Sequence, residues 1–173
     1  MRYTELPIGE RAPVAFNVIV EIPKGSANKY EYDSDLDIFR LDRTLYSPMH
    51  YPGDYGFVPS TIAADGDPLD ALVLVESPTF TGCVIEARAV GILAMVDQGV
   101  EDLKLLCVPT KDPRQETVAN YSDVHPHRLR EIEHFFGIYK ELEGKRTETQ
   151  GWRNADEARR VIRAASERFQ SDR

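Results

Sequence analysis

Several broad classes are set aside by what this chain lacks. No apolar run is long enough to cross a membrane as a helix. Basic residues are in the minority: 21 Lys and Arg stand against 29 Asp and Glu, and the net charge of −8 argues against the basic face that nucleic-acid binding needs. Only two cysteines occur, Cys83 and Cys107, with no Cys-x-x-Cys pair. Two reduced, buried thiols and a cytoplasmic setting are therefore expected rather than a disulfide. The opening residues Met1-Arg2-Tyr3-Thr4-Glu5 carry no apolar stretch of the signal-peptide kind. There is no internal repeat, low-complexity tract or linker. What remains is a chain of 173 residues, 42% apolar and 29% charged, which suits one soluble domain over 1–173 with a sizeable core.

The first half alternates as strands do. Val14, Phe16, Val18, Val20 and Ile22 share one face, with Asn17 and Glu21 on the other. Lys29 to Asp33 alternates again, so Lys29 and Glu31 project together with Tyr30 and Tyr32 opposite. Asp33 to Asp37 reads as a polar turn and Ile38 to Leu45 as the returning strand, which carries Arg43. Ser47 to Pro59, dense in Tyr, Pro and Gly, reads as a structured loop. Ala71 to Val75 is a short buried strand, Val84 to Val96 a long one interrupted at Gly91, and Leu103 to Val108 another, with Asp102 and Lys104 of one parity. The second half turns helical. Pro126 suits a first turn, and Leu129, Ile132, Phe136, Tyr139 and Leu142 then recur at helical spacing, with Lys140 and Lys145 toward the end. Asn154 and Glu157 form a candidate capping box, with Ala158, Val161, Ile162, Ala165 and Phe169 as the apolar face behind it. The plan is a β-rich body closed by two C-terminal helices.

Asp65-Gly66-Asp67-Pro68-Leu69-Asp70 is the stretch that draws attention. Gly66 allows a sharp bend and Pro68 fixes a dihedral, so three carboxylates are crowded onto a stiff loop at the edge of a strand. Such residues also make ordinary surface turns. Crowded carboxylates repel unless a positive charge lies between them, and oxygen-only ligands suit a hard cation such as Mg²⁺ or Mn²⁺. An EF-hand is excluded: Glu76 falls where the last ligand belongs, but Leu69 and Asp70 stand where an oxygen ligand and a glycine are needed. A second acidic cluster contains Asp97, Glu101 and Asp102.

Basic residues and tyrosines flank the acidic loop: Lys29, Arg43 and Tyr55 before it, Tyr139 and Lys140 after it. Each alone has an ordinary reading as a solvated charge or a packed phenol. Brought together they would set a carboxylate–metal cluster opposite cationic and phenolic donors, a pairing suited to phosphoryl transfer. The chain resembles the family I soluble inorganic pyrophosphatases. Their Asp-x-Asp-Pro-x-Asp signature is Asp65 to Asp70 here. Val20-Glu21-Ile22-Pro23, Lys29-Tyr30-Glu31, Leu41-Asp42-Arg43, Tyr51-Pro52-Gly53-Asp54-Tyr55-Gly56, Asp97 with Asp102 and Lys104, and His134-Phe135-Phe136 with Tyr139-Lys140 follow in family order.

The resemblance implies an α+β, mainly β fold: a five-stranded, OB-like β-barrel with two C-terminal flanking helices. It implies Mg²⁺-dependent hydrolysis of pyrophosphate to two orthophosphates by direct attack of a metal-activated water, with several ions per site and Mn²⁺ or other divalent ions as possible substitutes. Asp65, Asp70 and Asp102 would hold the activating metals, and Asp97 an ion that arrives with substrate. Asp67 would be the general base. Lys29, Arg43, Tyr139 and Lys140 would bind the phosphates, and Tyr55 would donate near the same site. Glu21, Glu31 and Lys104 would support them. It also implies the bacterial hexamer, a dimer of trimers, with no nucleic-acid or membrane partner. His134, Ile138 and Glu141, at i, i+4 and i+7, offer a second helix face for such an interface. Two readings from other classes stand beside this one: a noncatalytic OB-fold module binding nucleic acid, and a metal-dependent phosphohydrolase acting on nucleotides or phosphate esters.

Overall fold

The computed structural model describes residues 2–172. Met1, the first of the opening residues considered above, and Arg173 lie outside the described residues. In chain order the strands and helices are β1 (Phe16–Ile22), β2 (Asn28–Asp33), β3 (Ile38–Thr44), β4 (Asp54–Val58), β5 (Leu69–Val73), β6 (Val84–Asp97), β7 (Val100–Pro109), α1 (Pro126–Ile138), β8 (Thr147–Asn154) and α2 (Ala155–Ser171). Five strands pair in the order β1-β4-β5-β7-β6, and β6 pairs back onto β1. This closed ring is the expected five-stranded barrel. Its pairs are antiparallel except β5 with β7. The β2–β3 hairpin forms a separate two-stranded sheet.

The continuous apolar runs are explained by burial on both faces. Leu69, Ala71 and Val73 of β5 join Leu105 and Cys107 of β7 in a core cluster that includes Ala158, Ile162 and Ala165 of α2. Leu72 and Leu74, with Leu106 and Val108, join a second cluster that includes Ile132, Phe135 and Phe136 of α1. The two helices thus close different faces of the same strands. Burial also reaches Ile19 of β1, while Val14 stands outside the strand and is exposed.

Sequence and structure differ at several elements, each for a physical reason. The expected loop from Ser47 to Pro59 contains β4, all five residues of which are buried. Its glycine is what the strand requires: β1 passes so close that a Cβ on Gly56 would lie 1.8 Å from the Ile19 carbonyl oxygen. β8, which pairs with β6, was not foreseen. As a polar edge strand with no buried residue, it lacks an apolar alternation. α1 stops at Ile138, so Leu142 does not extend its buried stripe. Leu142 is exposed in a short 3₁₀ turn, Glu141–Glu143, closed by Gly144 at φ 73°. Lys140, Glu141 and Lys145 therefore lie beyond the helix rather than on it, and Phe135 completes the buried face.

Asn154 caps α2 by accepting from the Glu157 N–H at 2.9 Å, but the Glu157 carboxylate takes Arg153 instead of completing a capping box. Both cysteines are free. Cys107 is buried, which pushes its thiol pKa well up, whereas Cys83 is only half-buried. Among the described residues no helix is long and apolar enough to cross a membrane.

Candidate active site

The acidic loop connects β4 to β5 and is closed on itself. Gly66 takes φ 94°, a left-handed conformation that favours glycine. The Ala63 N–H donates to the Asp67 carbonyl at 2.7 Å, and the Gly66 N–H to the Ala63 carbonyl at 3.2 Å. The Asp67 N–H donates to Asp65 Oδ1 at 3.1 Å. At the foot of the loop the Leu69 N–H donates to Thr61 Oγ1 at 3.0 Å, and the Thr61 hydroxyl donates to the Val58 carbonyl at 2.6 Å. Asp65 and Asp67 stand exposed at the tip, and Asp70 points from the start of β5. Among the described residues the Asp67 carboxylate accepts no hydrogen bond. Partial burial, then the negative charges of Asp65, Asp70 and Glu31, raise its pKa.

Lys104 occupies the floor, 3% exposed. The parallel pairing of β5 with β7 sets it opposite Asp70. Its ammonium donates to Asp70 Oδ2 and to Asp102 Oδ2, each at 3.0 Å, and to Tyr55 Oη at 2.8 Å. The Tyr55 hydroxyl donates in turn to Asp70 Oδ2 at 2.6 Å. Burial works against the charge on Lys104, but Asp70 and Asp102 outweigh it and hold the ammonium protonated. Burial and the nearby carboxylates push the Tyr55 phenol well up, so it remains a donor. Burial also raises Asp102, against the pull of Lys104.

The walls come from separate elements. Lys140 pairs with Asp97 Oδ2 at 2.5 Å from beyond α1. Tyr139 packs its ring 5.3 Å from that of Phe135. Lys29 and Glu31 form an ion pair on β2, as their parity requires. Glu21 lies at a register shift in β1 and accepts from the Tyr32 N–H at 2.8 Å. Burial dominates its ionisation and pushes its pKa up to about 8. Glu21, Lys29, Glu31, Asp97, Tyr139 and Lys140 line one cavity of about 700 Å³, together with Asp65, Asp67, Asp70, Asp102 and Lys104.

Arg43 is the exception among the expected site residues, because it does not line that cavity. It is paired with Asp42 and, from Nε, with Glu143 Oε1 at 2.7 Å. Neither carboxylate was given a role from sequence. Parity sends Asp42 away from Arg43, but the extra residue in β3 opposite Lys29 and Tyr30 turns it back, within 3.6 Å of Lys29. Glu143 comes from the unforeseen 3₁₀ turn, and its side chain is 6% exposed.

The donor set fits hard cations. Lys104 and Tyr55 take only the Oδ2 atoms of Asp70 and Asp102, leaving the other oxygens for a ligand. Asp97 Oδ1 is buried and has no hydrogen-bond partner, which leaves it open to a ligand. Asp54, fully buried nearby, shows the contrast: Lys24 N–H, Thr79 N–H and the Thr79 hydroxyl saturate both its oxygens. Among the described residues no three such side chains already form a tight cage.

Carboxylates with unused oxygens, facing lysines and phenols across one cavity on a closed strand ring, define a metal-dependent hydrolase site. Residues 18–170 match the family described as inorganic pyrophosphatase. The inorganic pyrophosphatase of Halalkalibacterium halodurans is 52% identical over 150 residues, 87% of this chain and 92% of that one. The crystal structure of the inorganic pyrophosphatase from Thermus thermophilus superposes with a TM-score of 0.96 at 43% identity, covering 98% and 99% of the two chains. That of Helicobacter pylori gives 0.91 at 39%, covering 95% and 98%. The chain belongs to the inorganic pyrophosphatase family.

Proposed function

We propose that the protein hydrolyses inorganic pyrophosphate to two orthophosphates, using Mg²⁺ and a water that attacks phosphorus directly. The observation that carries this is the meeting, in one cavity, of Asp65, Asp67, Asp70, Asp97 and Asp102 with Lys29, Tyr139 and Lys140. Asp65, Asp70 and Asp102 would hold the activating ions, and Asp97, with one oxygen free, a further one. Divalent ions bound there would screen the charge of pyrophosphate and bring the pKa of a water toward neutrality.

The chain's own residues do the rest. Asp67, unpartnered and with its pKa raised, accepts the proton of the attacking water. Lys29, Tyr139 and Lys140 grip the phosphates, and Tyr55 donates near the same site. Arg43 joins the grip from outside the cavity wall by exchanging a carboxylate partner for phosphate. Lys104 holds Asp70 and Asp102 at a fixed spacing, and Glu21 and Glu31 act from the wall.

The reading extends to one cytoplasmic domain over 1–173 that assembles as a hexamer, a dimer of trimers. Two free thiols support the location. His134, exposed, and Ile138, half-buried, support an interface on α1, with Glu141 beside them beyond its end. Phosphate release from pyrophosphate, ATP and a phosphate monoester, compared at equal enzyme, tests the substrate. Pyrophosphate should be preferred by orders of magnitude; comparable rates on ATP would replace this reading with a nucleotide phosphohydrolase.

A further inference from the structure

α2 does more than cover the core. Ile62, which leads into the acidic loop, is held at both of its backbone groups by the last turns of that helix. Its N–H donates to the Ala165 carbonyl at 3.0 Å, and its carbonyl accepts from Arg168 Nε at 2.8 Å. The loop's own bonds begin at the next residue, where Ala63 N–H meets the Asp67 carbonyl. The foot of the loop is therefore fixed in two ways. Thr61 ties it to Leu69 across its neck, and α2 ties Ile62 to the body. The Arg168 side chain also lies between two hollows: it lines the main cavity with Asp65 and Asp67, and a shallow groove on the outer side of the loop with Gly66.

We propose that Arg168 is a positioning residue for the metal-binding loop. Acting through the Ile62 carbonyl, it holds Asp65 where a cation can use it, with Asp67 beside it on the same loop. Crowded carboxylates push a loose loop outward, and a directed hydrogen bond to its foot resists that movement. The hydrogen bond carries the effect, not the positive charge. This inference rests on the assignment of Asp65 to the metal site.

The test is Mn²⁺ binding to the intact, substrate-free protein, read from the electron paramagnetic resonance signal of free Mn²⁺, beside the Mg²⁺ dependence of pyrophosphate hydrolysis. Arg168→Ala keeps good helix propensity, so α2 should form. It should bind Mn²⁺ about tenfold more weakly, the loss set by one hydrogen bond. Half-maximal activity should need correspondingly more Mg²⁺, while kcat at saturating Mg²⁺ stays within about twofold. Arg168→Gln retains an N–H donor without the charge and should recover most of the affinity. Wild-type affinity in Arg168→Ala would overturn the proposal, as would Arg168→Gln failing as badly as alanine. A wild-type protein that bound no Mn²⁺ would overturn the metal-site assignment itself.

Discussion

Asp67 and Asp70 lie on the same signature, yet their surroundings divide the work between them. Asp70 spends one oxygen on Tyr55 and Lys104, which fixes its other oxygen in space. Asp67 has no such partner, and its raised pKa suits it to accept a proton. Asp67→Asn keeps the shape but cannot take a proton, so turnover should fall on the order of 10²–10⁴ with metal binding largely retained. Asp70→Asn should instead weaken metal affinity; a titration finding both variants equally metal-deficient would erase this division. Glu21 gives the pH signature of the metal-free protein. Its carboxyl ionises near its ordinary 4.5 when unfolded and near 8 when folded, because burial disfavours the charge. The folded chain holds the extra proton between those values. The stability this gives is full below about 4.5 and is lost as pH rises toward 8. In chelator, Glu21→Gln should therefore gain on the wild type by on the order of 3 kcal/mol between pH 5 and pH 8. A difference independent of pH would contradict it.

At the scale of elements, the β2–β3 hairpin carries Lys29, Glu31 and Arg43 but is not part of the ring. The Arg43–Glu143 pair fastens it to the turn after α1. Arg43→Lys loses the planar fork that pairs with Asp42 and Glu143 and that would exchange one of them for a phosphate. We expect kcat/KM to drop about tenfold or more, and the melting temperature to fall by a few degrees because Glu143 is left poorly paired in a buried place. An unchanged melting temperature would show that the fastening is slack. This element also shows what sequence could reveal. Strand parity alone joined Lys29 to Glu31 and Asp102 to Lys104, since a period of two is a local property. It gave no sign of where Asp42 turns, because one extra residue in β3 reverses the parity and leaves no local mark. β4 was hidden because Gly56 answers to a neighbouring backbone rather than to its own segment. The acidic signature was legible because chemistry, not packing, selects it. Glu143 was not, because its turn forms only where α1 happens to stop.

For the whole molecule, a ring of strands closed on different faces by two helices brings distant segments to one cavity, and leaves part of α1 outward. Sedimentation at neutral pH should show a species about six times the 19.6 kDa chain. Ile138→Asp should yield trimers or smaller species that still hydrolyse pyrophosphate, less well at low Mg²⁺. A monomer at micromolar concentration would sink the assembly, and an unaffected hexamer would move the interface off α1. The central claim is that divalent ions held by these aspartates drive pyrophosphate hydrolysis. Its most direct test is phosphate release from pyrophosphate as Mg²⁺ is titrated and then removed with excess chelator. The account predicts two phosphates per pyrophosphate, activity that rises with Mg²⁺, and its loss on chelation with recovery when Mg²⁺ is restored. Full activity in excess chelator would contradict it.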